Sequence, residues 1–158
     1  RAPETEHRLW YQYYFNTQRG VDGLTANRRA FCELLWRQWS PTWNQGPQCY
    51  GLSAPSFDNP DFVEVVIHSY RHRFGYVPGD PSLESIEQAL QAQPPIQVPT
   101  IALCGADDGV GPATEPDPDI GLFSGPYQRR ILPGVGHNLP QEAPQATLDA
   151  LLELLQNA

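Results

Sequence analysis

The sequence predicts an α/β fold in which a mainly helical segment is followed by a short parallel sheet with covering helices. Apolar and aromatic residues recur at helical spacing through the first half. After Pro94-Pro95 the period changes, and short strand-like apolar runs end in glycine-rich turns. Composition changes as well: residues 1–76 hold 15 of the 17 aromatic residues, and residues 77–158 hold 12 of the 17 prolines. We therefore expect two domains, a helical one over residues 1–93 and a sheet-containing one over residues 94–158.

The helical half contains clear start and stop signals. Apolar spacing predicts one helix over Leu24–Trp39, which Ser40-Pro41 ends because proline disfavours the helical conformation of the residue before it. Residues Pro41–Ser56 are then predicted to form an irregular connection. Two more helices are predicted to begin at Asn59 and Asp80, since both residue types cap helix N-termini and both precede a proline.

The sheet half begins with a continuous apolar run over Pro99–Cys104, a pattern typical of a strand in a parallel sheet. A second, shorter strand is predicted over Arg130–Leu132, and each strand is followed by a glycine-containing turn. A last helix is predicted over Gln141–Leu155, with a buried leucine stripe formed by Leu148, Leu151, Leu152 and Leu155. Two strands with one covering helix form only part of a doubly wound α/β core, so we expect the remaining strands to lie outside this sequence.

Composition excludes several classes of function. The net charge is −8 with no basic stripe, which argues against nucleic acid or an anionic bilayer as a partner. No apolar run approaches the roughly 20 residues that a membrane-spanning helix needs. Three widely separated cysteines predict no disulfide framework and favour a reducing, cytoplasmic location. Because Arg1 is not an initiator residue and residues 1–7 lack signal-peptide character, we expect a piece of a longer protein.

Candidate catalytic residues follow both predicted strands. Gly105–Gly109 contains Asp107 and Asp108, and the turn after the second strand contains His137. Reacting groups of open α/β sheets lie beyond the carboxyl ends of the strands. An acid followed by a histidine in chain order matches the second and third members of an α/β-hydrolase triad, in which the carboxylate orients the imidazole and the imidazole is the general base. The alternative is that these are ordinary turn residues, since aspartate and glycine are common in turns.

The same residues resemble a known family. The tail segments Pro99–Asp108 and Pro133–Pro144 are similar to the C-terminal third of α/β-hydrolases, most of all to the branch of epoxide hydrolases and haloalkane or haloacid dehalogenases. In that family the acid is the fourth residue of a Gly-x-x-Asp turn, which corresponds to Asp108 with Asp107 as its alternative. The histidine of the Gly-x-Gly-His turn corresponds to His137. The resemblance therefore implies the C-terminal part of an α/β-hydrolase core.

The aromatic half resembles the helical cap of epoxide hydrolases. Trp10-Tyr11-Gln12 is similar to the start of that cap, where a Tyr-Gln pair presents one of two phenols that hydrogen-bond the epoxide oxygen. The second phenol lies in a Tyr-Arg pair on a later cap helix, matched here by Tyr70-Arg71. The resemblance thus implies that Tyr11, Tyr70 and Trp10 bind a small, largely apolar substrate. Both tyrosines could instead be core aromatics.

The sequence departs from the family in one respect. It contains no Gly-x-Ser-x-Gly nucleophile elbow and no His-Gly oxyanion loop. The only Gly-x-Asp-x-Gly is Gly105–Gly109, which Gly111 and Pro112 follow where a helix should begin. The resemblance therefore implies a hydrolase whose cap, acid and base are in this chain and whose nucleophile, an aspartate, lies upstream of Arg1.

Several alternatives remain open. With a serine nucleophile the same acid and base would serve an esterase. The chain could also act only as a binding or assembly module, because unpaired strand edges recruit partners such as the N-terminal half of the hydrolase or another copy of the chain. A metal site could use His68 and His72 or the acidic run from Asp107 to Asp119, but neither matches a specific motif. No cofactor is implied, because nucleophile, base and oxyanion donors suffice.

Overall fold

The computed structural model describes residues 2–156. Helices make up most of the fold, and a two-stranded parallel sheet follows them, consistent with part of an α/β fold. The elements are α1 (Pro3–Arg8), α2 (Trp10–Tyr14), α3 (Gln18–Ala26), α4 (Arg28–Trp39), α5 (Gly46–Ser53), α6 (Phe62–Arg73), α7 (Glu84–Gln91), β1 (Thr100–Gly105), β2 (Tyr127–Leu132), α8 (Leu139–Glu142) and α9 (Pro144–Gln156).

The described chain divides into two compact units. One comprises the residues up to Gln38 together with Asn44–Glu84, and the other comprises Trp39–Trp43 together with the residues from Ser85 onward. The range predicted for the helical domain, 1–93, thus includes two segments that the structure groups with the second unit. In the part of the chain described, no helix has both the length and the apolar character required to cross a bilayer.

The first unit differs from the predicted helices in two places. The single helix expected over Leu24–Trp39 is wrong: α3 begins earlier, where the Thr17 hydroxyl accepts a hydrogen bond from the Gly20 N–H, and it stops at Asn27. The Asn27 amide donates back to the Gly23 carbonyl at 3.4 Å, and such side-chain bonds compete with the helical ladder. The irregular connection expected over Pro41–Ser56 is also wrong, because it contains α5. A proline in the first turn of a helix starts it rather than breaks it.

Other predicted helix signals hold. Helix α4 ends at Trp39, immediately before Ser40-Pro41. The Asp80 carboxylate accepts from the Ser82 N–H at 2.8 Å and begins the turn that leads into α7. Asn59 forms a similar bond with the Asp61 N–H at 3.0 Å, although α6 itself begins only at Phe62. The core of this unit contains Leu9, Tyr11, Phe15, Leu24, Leu35, Tyr50, Ala54 and Ile67.

The second unit contains both predicted strands, paired in parallel from Thr100 opposite Tyr127 to Gly105 opposite Leu132. The prediction of one final helix with a buried leucine stripe is wrong. Pro144 disfavours a helical conformation at Ala143, so α8 ends there and α9 starts anew. The four leucines of the stripe, Leu148, Leu151, Leu152 and Leu155, are 45–66% exposed, because two strands are too narrow to cover this face of α9.

Candidate active site

Parallel pairing places the turns that contain Asp108 and His137 at one end of the sheet. Gly105 and Leu132 are the last residues of β1 and β2 and lie opposite each other in the register. Directly beyond them the chain is still paired, since the Ala106 N–H donates to the Leu132 carbonyl and the Asp107 N–H donates to the Val135 carbonyl, both at 2.9 Å. The turn that follows β1 therefore lies against the turn that follows β2.

Asp108 and His137 meet across these turns. Asp108 Oδ2 lies 2.9 Å from His137 Nδ1, and its other oxygen, Oδ1, accepts from the N–H groups of Val110 at 2.7 Å and Gly111 at 3.1 Å. Three groups thus fix the carboxylate in the turn. Of the two aspartates that the sequence offered, Asp108 is the one that bonds the imidazole.

The environment of Asp108 favours its ionised form. Burial by itself would raise the pKa of this carboxyl group, but the hydrogen bonds from His137, Val110 and Gly111 outweigh that effect and lower the pKa below its usual value. An ionised carboxylate can only accept hydrogen bonds, so Nδ1 of His137 carries a proton and donates it. The imidazole is thereby left with Nε2 as its basic nitrogen, the tautomer that a general base requires.

Trp39 connects the turn after β1 that contains Asp108 (the acid turn) and the turn after β2 that contains His137 (the histidine turn). It does so through one backbone atom. Its carbonyl oxygen accepts from the Gly109 N–H at 2.9 Å and from the His137 N–H at 3.1 Å. Its indole ring meets the His137 ring edge-on, with centroids 5.5 Å apart. Trp39 therefore restrains both the backbone and the ring of His137.

A cavity of about 370 Å³ adjoins the two turns, within the size range of small-ligand sites. Asp108 and His137 line it together with Cys104 of β1 and Arg129 of β2. The Arg129 guanidinium donates to the Thr114 carbonyl at 2.8 Å, which fixes the position of this cation in the lining of the cavity. The His137 side chain is 40% exposed, so it remains accessible to water and to a small molecule.

Tyr11 and Tyr70, whose phenols the resemblance implied as substrate-binding groups, lie together in the first unit. The Tyr11 and Tyr70 rings meet edge-to-face with centroids 5.7 Å apart, and Tyr11 is only 2% exposed. Burial, together with the neighbouring Tyr11 phenol, raises the pKa of Tyr70 to about 12, so Tyr70 stays protonated and can donate. Trp10 packs edge-on against Tyr11, and its indole N–H donates to the Gln38 amide oxygen at 3.2 Å.

The candidate metal ligands do not assemble. His68 and His72 stack on α6 with ring centroids 6.1 Å apart. Asp117 instead accepts from the Tyr127 hydroxyl at 2.8 Å. Across residues 2–156, no three histidine, cysteine or acidic side chains gather closely enough to hold a metal ion.

Sequence reasoning missed the residues that touch the histidine turn from elsewhere in the fold, which are Ser40 and Glu142 in addition to Trp39. The Ser40 hydroxyl lies within hydrogen-bond distance of the His137 N–H, and Glu142 accepts from the Gly136 N–H at 2.8 Å. The sequence identified Ser40 only as a helix stop, since its partners lie 97 and 102 residues away. The one available signal was the position of Glu142, shortly after His137 within the tail that resembles the hydrolases.

Comparison with known proteins relates the chain to proteins named as epoxide hydrolases. Epoxide hydrolase A of Mycobacterium tuberculosis is 40% identical over 60 residues, which are 38% of this chain and 19% of that protein. A crystal structure from Klebsiella pneumoniae, provisionally named an epoxide hydrolase, matches with a TM-score of 0.91 and 40% identity over 98% of this chain and 51% of the other. No protein-family model matches the sequence.

A more distant structure supports the fold alone. Cfl2 from Burkholderia cenocepacia matches with a TM-score of 0.68 and 15% identity, over 97% of this chain and 49% of the other. The chain thus spans about half the length of each of these two solved structures.

Proposed function

We propose that this chain supplies the acid, the base and the cap of an α/β-hydrolase of the epoxide hydrolase type, which acts on a small apolar epoxide. The observation that carries the proposal is the 2.9 Å contact between Asp108 Oδ2 and His137 Nδ1 beyond the ends of two parallel strands. The 40% identity to a protein provisionally named an epoxide hydrolase supports the reaction class.

In the proposed first step, a carboxylate supplied by another segment of the hydrolase attacks one epoxide carbon. The bond between that carbon and the ring oxygen breaks, and an ester joins the substrate to the enzyme. The ring oxygen becomes an alkoxide and takes a proton from a phenol. Tyr11 and Tyr70 are proposed as the donors, because two phenols can stabilise the developing negative charge without adding a cation.

In the proposed second step, Nε2 of His137 removes a proton from water while Asp108 stabilises the imidazolium that forms. The resulting hydroxide attacks the ester carbonyl, the alkyl–oxygen group leaves as the second hydroxyl of a diol, and the carboxylate nucleophile is restored. The imidazolium returns its proton through solvent to the phenolate. His137 is therefore needed for ester hydrolysis but not for ester formation.

The test uses His137→Gln in the full-length protein, with styrene oxide as the probe and intact-protein mass spectrometry as the readout. The variant is expected to accumulate an adduct of the epoxide's mass, because ester hydrolysis slows by roughly 10²–10⁴-fold, the usual contribution of a general base. The wild-type protein is expected to release the diol and retain no adduct. His68→Gln, on an exposed face of α6, is the matched control and should behave like the wild type.

Two results would overturn the proposal. One is diol release by His137→Gln at the wild-type rate. The other is a wild-type protein that ignores styrene oxide but forms an acetyl adduct with p-nitrophenyl acetate, which would instead support a serine esterase.

A further inference from the structure

We propose that Ser40 is a positioning residue that holds the His137 turn in its working geometry, an inference that rests on the function proposed above. Ser40 directly follows α4 and is only 5% exposed. Its hydroxyl donates to Glu142 Oε1 at 2.6 Å. The same oxygen lies 3.1 Å from the His137 backbone nitrogen, and 3.2 Å and 3.0 Å from the backbone and side-chain nitrogens of Asn138.

Glu142 completes the set of acceptors around the turn. Oε2 accepts from the Gly136 N–H at 2.8 Å, and Oε1 accepts from the Asn138 N–H at 3.0 Å. The N–H groups of three consecutive residues, Gly136, His137 and Asn138, thus all point at Ser40, Glu142 or the Trp39 carbonyl. Hydrogen bonds to an ionised carboxylate are about twice as strong as neutral ones, so this network holds the backbone of the turn firmly.

Ser40 packs tightly against Gly136 of the histidine turn. A β-carbon on Gly136 would lie 2.6 Å from the Ser40 Cα and 2.9 Å from its Oγ. The residue before Ser40 accepts from His137 and from the acid turn, as described above. The Trp39-Ser40 pair therefore sets the position of the histidine turn relative to the turn that carries Asp108.

Loss of the Ser40 hydroxyl would remove a hydrogen-bond donor from Glu142 and an acceptor from the histidine turn. Glu142 Oε1 would lose its 2.6 Å donor. The backbone N–H groups of His137 and Asn138 and the Asn138 side-chain amide would lose a shared acceptor. The histidine turn would then be free to shift relative to Asp108. Misplacement of a catalytic group by about 1 Å can lower a rate by about 10²-fold. Because His137 acts only on the ester, the loss should fall on ester hydrolysis.

The test compares Ser40→Ala and Ser40→Cys with the wild-type full-length protein in single-turnover reactions with styrene oxide. Cysteine replaces the hydroxyl by a slightly larger thiol of the same shape, which is only a weak hydrogen-bond donor and acceptor. Both variants are expected to form the ester at the wild-type rate and to hydrolyse it about tenfold to a hundredfold more slowly, with an altered pH profile of hydrolysis. Ser69→Ala removes an exposed hydroxyl that donates to the Val65 carbonyl within α6 at 2.8 Å, and it should change neither step.

A purely structural role gives a different pattern. Partial unfolding would lower ester formation and ester hydrolysis by the same factor and would leave the pH profile unchanged, and that result overturns the inference. If the Ser40 variants do not fold, Glu142→Gln replaces them, because the amide keeps the shape of the carboxylate and lacks its charge. It is expected to slow ester hydrolysis selectively, and wild-type hydrolysis by this variant would count against the inference.

A second readout separates this inference from the function proposed above. In ¹H NMR spectra, the His137 Nδ1 proton that is bonded to Asp108 should be strongly deshielded, and the signal should weaken in Ser40→Ala but not in Ser69→Ala. This measurement needs no substrate, so it still tests the positioning role if styrene oxide proves inert. Retention of the full signal in Ser40→Ala would overturn the role of Ser40 whether or not the protein opens epoxides.

Discussion

Gly105 lies so close to Gly136 that a β-carbon on Gly105 would sit 2.4 Å from the Gly136 carbonyl oxygen and 2.5 Å from that of Val135. The last residue of β1 and the turn after β2 thus meet backbone to backbone. Their closeness allows Asp108, three residues after Gly105, to reach His137, the residue after Gly136. Any side chain at position 105 would separate the acid turn from the histidine turn.

Gly105→Ala should therefore destabilise the second unit. The atoms that a β-carbon would meet are backbone oxygens, which cannot rotate away, so we expect a loss of about 1–3 kcal/mol in the free energy of unfolding, the usual cost of overpacking. Urea unfolding followed by circular dichroism measures it. Gly111→Ala is the matched control, since a β-carbon there meets nothing within 4 Å. Equal stability of the two variants would contradict the close contact.

Asp108→Asn tests the choice between the two neighbouring aspartates. The amide can present an N–H to Nδ1 and so favours the wrong imidazole tautomer, and we expect ester hydrolysis to slow by roughly 10²–10⁴-fold. Asp107→Asn is the control, because the Asp107 residue bonds Val135 through its backbone N–H, which the substitution keeps. Rapid-quench measurements of adduct decay give both rates. A larger effect at position 107 would reassign the acid.

The lowered pKa of Asp108 predicts how its contribution to stability changes with pH. Burial opposes the shift, and the hydrogen bonds from His137, Val110 and Gly111 outweigh it, so the folded-state pKa lies below the unfolded value of about 3.9. The stabilisation is then fully present above the unfolded pKa and is lost as the pH falls through the folded one. The free energy of unfolding of the wild type minus that of Asp108→Asn should therefore shrink as the pH falls below about pH 4.

Urea unfolding of both proteins between pH 5 and pH 3, the range in which Asp108 takes up its proton, measures this difference. All the other carboxyl groups are shared by the two proteins, so their titration largely cancels. A difference that grows as the pH falls would mean that the folded state raises the pKa of Asp108 instead.

Local signals were enough to predict the elements that carry the proposed acid and base. The apolar run of β1 and the glycine-rich turns are encoded by neighbouring residues, and parallel pairing then brings Asp108 and His137 to one end of the sheet. The boundaries of α3, α4 and α5 were predicted less well. These boundaries depend on the positions that Asn27 and Pro47 take in a helix. Asparagine can either continue or end a helix, and proline can either start or stop one.

Contacts distant in sequence were the part that could not be predicted. Ser40 and Glu142 are 102 residues apart, and nothing in the sequence near Ser40 indicates that its hydroxyl bonds the turn of His137. The leucines of α9 also show that a local pattern does not determine tertiary contacts. Their periodicity predicts an apolar face correctly, but whether that face is buried depends on the width of the sheet beside it.

Tyr70→Phe tests the phenol proposed to donate to the epoxide oxygen. Loss of one donor to a developing oxyanion typically costs about 10²–10³-fold, so ester formation should slow by that factor while hydrolysis of the ester is unchanged. Tyr76→Phe is the matched control, because that side chain is 70% exposed.

The pH dependence of ester formation gives a second check on Tyr70. Burial and the Tyr11 phenol raise the pKa of Tyr70 to about 12, so the group remains a donor throughout the range in which the protein is assayed. The rate of ester formation by the wild type should therefore not fall between about pH 7 and pH 10 in the way that ionisation of a phenol with an ordinary pKa near 10 would cause. A decline centred near pH 10 that disappears in Tyr70→Phe would show that the phenol ionises normally, and it would contradict the buried tyrosine pair as the proton donor.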